Sequence, residues 1–203
     1  MKKVNGSVSR NLLADTRAQI VVAILLVALI FAARILPHAA NFTPVAAVGL
    51  FAGVYLRRSW ALFVPLAGLI LSDLVLGGYG VRGMAVVYGA FALTFVVGRL
   101  ISRKNFFAGR KIGAKIARGV AGTLFASILF FLITNNIFLY TPSLYPMDFA
   151  GMIQSYAAGV PFFRAQILGD AIYSFSLFGA YEVAKIVAAS FIKSRKTAKI
   201  SEI

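Results

Sequence analysis

The chain has 203 residues, 60% of them hydrophobic and 13% charged, with no cysteine and a formal net charge of +15. A soluble domain carries about 45–50% apolar and about 25% charged residues. These long apolar runs therefore mark a polytopic membrane protein of one domain, and the lack of cysteine excludes disulfides, zinc fingers, thiol catalysis and iron–sulfur clusters as intrachain chemistry.

Apolar runs near 18–36, 44–56, 59–76, 84–102, 119–140 and 162–190 predict an all-α protein of six transmembrane helices. A basic segment 1–17 precedes this membrane domain, 18–192, and a basic tail 193–203 follows it. All 21 Lys and Arg except Arg34, Arg82 and Arg164 fall in Lys2–Arg17, Arg57–Arg58, Arg99–Arg118 and Lys185–Lys199. With the amino terminus in the cytoplasm, the up-and-down threading puts every one of those clusters inside, and the carboxyl terminus with them. The charge reads as topology, not as nucleic-acid binding.

In chain order, Ala28 and Ala32 on the first helix and Gly49 and Gly53 on the second are small-xxx-small pairs suited to close helix packing. Arg34 ends the first helix, and His38 and Asn41 follow in the first outer loop. Thr43 then Pro44 reads as a helix cap and first helical position. From Pro44 to Arg57 the apolar segment spans about 20 Å of helix, short of a hydrocarbon core about 30 Å thick. Its outer end therefore stops inside the membrane's depth, where irregular backbone is tolerated only within protein or beside a water-filled cavity.

Asp73 sits about one turn from the outer end of the third helix. The basic loop after the fourth mixes cations with Phe106, Phe107, Ile112 and Ile116, as a surface-lying or an ordinary solvated loop. Asn135 and Asn136 close the fifth helix, and a long aromatic outer loop, 141–161, leads to the sixth. There Gln166, Asp170 and Tyr173 fall on one helical face, and Glu182 and Lys185 form an i,i+3 pair near the inner surface.

Ionisable groups in a membrane are costly and need a reason. Two readings stand for the outer set. Arg34, His38, Asn41, Asp73, Asn135, Asn136, Gln166, Asp170 and Tyr173 line a substrate pocket, or they tie helices together, with Asp73 and Asp170 paired to Arg34 or Arg164. A lone histidine does not make a metal site. No HExxH, GxSxG, Walker or dinucleotide motif is present, so no enzyme activity and no cofactor are expected.

The stretches "NFTPVAAVGLFAG", "PLAGLILSDLVLG", "VYGAF", "LFFLITNN", "LYPMDFAGM" and "AAGVPFFRAQILGDAIYSFSLFGAYE" run from residue 41 to 182. Together they resemble an uncharacterised bacterial family of integral-membrane proteins read as transporters. The resemblance points to Asn41, Thr43, Pro44, Asp73, Asn135, Pro161 and Asp170 as the recurring polar and proline positions. That family is in turn similar in architecture to the substrate-binding S-components of energy-coupling factor (ECF) vitamin transporters. The likeness implies an inner-membrane protein with a pocket closed by outer loops, and the two charge signs of the outer set suit a small polar or zwitterionic molecule in that outward-facing pocket. Its partners would be the lipid bilayer, the substrate and an energising ECF-type module. A structural subunit of a membrane complex and an autonomous ion-coupled carrier are the alternatives.

Overall fold

The computed structural model describes residues 12–78, 80–103, 111–136 and 143–201; for Ala14 and for 192–201 the backbone alone is described. The basic start of the chain and Phe106 and Phe107 lie outside the described residues. Six α-helices follow one another: α1 Thr16–Ile35, α2 Val45–Tyr55, α3 Phe63–Leu76, α4 Val81–Arg103, α5 Ile112–Thr134 and α6 Phe149–Ser201. A 3-10 turn, Ser59–Leu62, leads into α3, and no strand occurs among the described residues. Among the described residues five segments are long and apolar enough to cross a membrane, and α2 is short. Large side chains such as Ile24, Leu74 and Phe175 stand outward, 62%, 77% and 61% exposed. Such a surface is unfavourable in water and suited to lipid. The molecule is a helical membrane protein.

All eleven residues of α2 are buried. The helix runs through the middle of the bundle, against α4 above all and also α5, α6 and α3. Its small residues permit this. A methyl group on Gly53 would overlap the Phe95 carbonyl, and one on Gly98 of α4 would overlap the Leu50 carbonyl. Gly49 packs in the same way on the Thr94 hydroxyl. The two backbones therefore touch where Gly49 and Gly53 of α2 meet Gly98 of α4, the approach that small residues allow in lipid. On the opposite side Phe51 and Tyr55 meet Phe178 and Tyr181 of α6, with ring centroids 4.0–5.8 Å apart. Ala28 and Ala32, by contrast, face outward from α1 and pack against nothing inside the bundle.

A helix buried at both ends leaves backbone groups that something else must satisfy. At the carboxyl end of α2, Arg99 donates to the Leu56 and Arg57 carbonyls at 2.9 and 2.6 Å. Ser102 donates to the Val54 carbonyl at 3.1 Å. Gln19 of α1 accepts from the Arg57 amide at 3.1 Å and donates to the Leu13 carbonyl at 2.9 Å.

Two helices are longer than their hydropathy indicates. α5 begins at Ile112, within the basic loop, and in its first turns Lys115 reaches Glu182 of α6 at 3.4 Å. α6 begins at Phe149 rather than near 162, so most of the expected outer loop is helix. Asp148 starts it as an N-cap: its carboxylate accepts from the Gly151 amide at 2.8 Å and its carbonyl from the Met152 amide at 3.0 Å. Pro161 lies inside this helix. It removes one donor from the ladder but does not end the helix.

The up-and-down order sorts the charges. Arg17, Arg57, Arg58, Arg99, Arg103, Lys111, Lys115, Arg118 and Lys185 lie toward one pole of the bundle. Arg34, Arg82 and Arg164 belong to the other.

Replacing Gly53 or Gly98 by Ala should destabilise the protein by about 1–3 kcal/mol, since backbone cannot move aside as a side chain does. Thermal unfolding in detergent measures this, with Gly89→Ala as the control, because a methyl at Gly89 meets nothing within 4 Å.

Candidate functional site

The pole poor in basic residues holds a cavity of about 810 Å³. Its walls come from the end of α1 and the loop after it, the first turn of α2, the end of α3, the start of α4, the end of α5 and the first half of α6. Of the residues expected from the sequence, Arg34, His38, Asn41, Thr43, Asn135, Gln166 and Asp170 line it. Asp73, Asn136 and Tyr173 do not line it, and Pro44 is buried beneath.

The cavity exists because α2 starts deep. Asn41 adopts a left-handed backbone, φ 63°, which asparagine tolerates better than most residues. The turn so formed lets the Phe42 amide reach the Ala39 carbonyl at 2.9 Å and the Thr43 amide the Asn41 carbonyl at 3.0 Å. Pro44, not Thr43, occupies the cap position: its carbonyl accepts from the Val48 amide at 2.8 Å, and no side chain at the cap closes a bond. The expected Thr43–Pro44 cap is thus shifted by one residue. Asp170 of α6 replaces it, with the Ala47 amide, in the first turn of α2, as a hydrogen-bonding neighbour. A carboxylate there also answers the positive end of the helix dipole.

Asp170 is 1% exposed, and Ser127 of α5 donates to it at 2.5 Å. It makes no pair with Arg164, which is exposed. Asp73, 5% exposed, accepts from Arg34 at 2.6 Å through one oxygen and from the Tyr88 hydroxyl at 2.6 Å through the other. This triad joins α1, α3 and α4 and holds the Arg34 guanidinium at the cavity wall. The reach to Arg34 is one of the two pairings the sequence left open for Asp73.

Asn135 and Asn136 join α5 to the early turns of α6. The Asn135 carbonyl accepts from Ser155 at 2.8 Å, and its side-chain amide donates to the Phe131 carbonyl at 2.9 Å. Its side-chain oxygen lies so close over Gly159 that any Cβ there would collide. Asn136 donates to the Tyr156 hydroxyl at 3.1 Å and to the Leu132 carbonyl at 2.6 Å, and Tyr156 donates to that same carbonyl at 2.6 Å. Tyr173 packs on Phe42, centroids 5.8 Å apart, behind the wall. His38 is exposed, and its Nδ1 lies 2.7 Å from the Leu36 carbonyl, so Nδ1 carries the proton of that bond.

The sequence reading did not single out Thr134 or the aromatic lining Phe91, Phe130 and Phe131, which stand beside Arg82, Phe162 and Phe163. Two pairs of these rings are in contact, Phe91 tilted on Phe130 with centroids 4.2 Å apart and Phe131 stacked on Phe163 at 4.3 Å. Tyr88 and Ser127, the partners of the two buried aspartates, are further omissions. Glu182 and Lys185 are far from the cavity. There Glu182, 3% exposed, pairs with Lys185 at 3.0 Å and Lys115 at 3.4 Å.

Asp73→Ala should cost about 3 kcal/mol, because it leaves the Arg34 charge and the Tyr88 hydroxyl unanswered. Arg34→Gln combined with Asp73→Asn should cost less than the two single changes added, by about 1–3 kcal/mol. A double-mutant cycle read by denaturation in mild detergent tests both.

Residues 14–193 match the model of a family described as a family of unknown function (DUF6580), and the chain belongs to that family. No curated protein and no solved structure matches it significantly.

Proposed function

We propose that this member of the DUF6580 family is an S-component-like membrane protein that binds a small polar molecule and takes part in its uptake. The cavity carries this reading. Its volume of about 810 Å³ falls in the range of small-molecule sites, about 300–1,000 Å³. It combines apolar and aromatic walls with few polar groups, the composition by which such sites fix orientation and exclude water. It also sits over a helix that ends within the membrane's depth, an arrangement that transporters use for binding sites.

The basic pole is the cytoplasmic one under the positive-inside rule, so the cavity opens away from the cytoplasm of the inner membrane. Both termini are cytoplasmic in this reading. No ATP-binding motif occurs in the chain, so any ATP-driven step belongs to a partner module of the ECF kind.

The absence of cysteine makes topology simple to test. In whole cells a membrane-impermeant maleimide should label Ser143→Cys, on the connection to α6, and should label Ser59→Cys only after permeabilisation. The reverse pattern would overturn the orientation.

Native mass spectrometry of gently purified protein should find a bound small molecule. Val87→Trp, which fills the cavity, should lose it while keeping the circular dichroism of the wild type. Protein that carries no small molecule in repeated preparations, or a molecule retained by Val87→Trp, would favour a purely structural subunit.

A further inference from the structure

Two hydrogen-bond donors on the cavity wall are buried and unanswered. Arg34 gives Nη2 to Asp73, but its Nη1 has no partner. The Gln166 side chain, on a residue 5% exposed, lies beside the Asp170 carboxylate, yet its Nε2 completes no hydrogen bond. The acceptors around them are already engaged. Asp73 uses both oxygens, on Arg34 and Tyr88, and Asp170 serves Ser127 and faces the Ala47 amide. An unanswered buried donor costs about 1–3 kcal/mol, and a ligand that brings acceptor oxygens removes that cost.

The buried atoms left without a partner at this wall are both donors, so a ligand gains most there by bringing acceptors. Arg82 lines the same cavity and pairs with no carboxylate among the described residues. Arg34 and Arg82 equal Asp73 and Asp170 in number, which weighs against a polyanion. A guanidinium with one arm fixed presents the other to a carboxylate in a defined plane. Phe91, Phe130, Phe131 and Phe163 give the wall aromatic faces beside Leu69, Leu76 and Val87.

We infer that the cavity binds a small organic monocarboxylate with a flat, largely apolar body, its carboxylate on Arg34 Nη1 and a second acceptor on Gln166 Nε2. This rests on the reading of the cavity as a binding site.

The test uses the full chain in mild detergent and follows its unfolding midpoint with benzoate, 4-acetylbenzoate, benzamide and benzylamine. The two acids should raise the midpoint, 4-acetylbenzoate more than benzoate, and the other two should not. Arg34→Lys, which keeps a charge opposite Asp73, should weaken both acids roughly tenfold, the loss of one charge-assisted bond. Should that variant fold poorly, Arg34→Gln with Asp73→Asn neutralises the pair together and should show the same loss. Gln166→Leu should abolish the advantage of 4-acetylbenzoate over benzoate.

Stabilisation by benzylamine or benzamide equal to that of the acids, or acids that act equally on the Arg34 variants, would overturn the carboxylate assignment and leave the binding site standing. If no probe acts, a co-purified molecule decides. One bearing a carboxylate supports the assignment, and one lacking it overturns the assignment alone. No probe effect and no co-purified molecule would overturn the assignment and the binding reading together.

Discussion

The contact between the backbones of α2 and α4 organises the bundle. Eleven residues make roughly 16 Å of helix, too little to cross a hydrocarbon core of about 30 Å. A segment of that length is stable in a membrane only if protein covers it on every side and at both ends. Gly49, Gly53 and Gly98 let α4 come close enough to do so. Phe178 and Tyr181 of α6 fill the other side. The ends are closed from other helices, by Arg99 where the dipole is negative and by Asp170 where it is positive. The space that the missing turns of α2 would have occupied is the cavity.

That origin explains why structural and site roles overlap. The charged groups nearest the cavity are there to complete the bundle: Arg34, Asp73 and Tyr88 join three helices, and Asp170 with Ser127 joins α6 to α5 over the start of α2. Both carboxylates already accept bonds from their neighbours, while Arg34 Nη1 and Gln166 Nε2 remain open. The polar character left for a visitor is thus set by what the packing does not consume.

Much of this was legible in residue order. Hydropathy located all six helices, and the distance from Pro44 to Arg57 marked α2 as too short to span. Spacing put Gln166 and Asp170 on one face, and both reach the cavity. What escaped was of two kinds. The start of α6 was read as loop because Tyr, Ser and Gln lower its hydropathy and Pro161 reads as a breaker. Asp148 before Phe149 was the local signal for that start, an N-cap visible in "MDFAGM". The partners Tyr88 and Ser127 left no such signal. They lie 15 and 43 residues from the aspartates they serve, and a hydroxyl on an apolar helix has no pattern that names its acceptor. Thr43 was placed one residue off for a similar reason. The left-handed turn at Asn41, which displaces the helix start, is a choice made by the tertiary fold.

The length of α6 ties the two poles mechanically. At ~1.5 Å per residue its 53 residues extend about 80 Å, well beyond the bilayer. Asp170 at the cavity and Glu182 in its clasp of lysines stand about 18 Å apart on the same rod, both beyond Pro161. With no break between them, a tilt of α6 that closes or opens the cavity wall displaces the Glu182 cluster by leverage. The fold carries a stiff shaft from the cavity wall to the charged surface opposite.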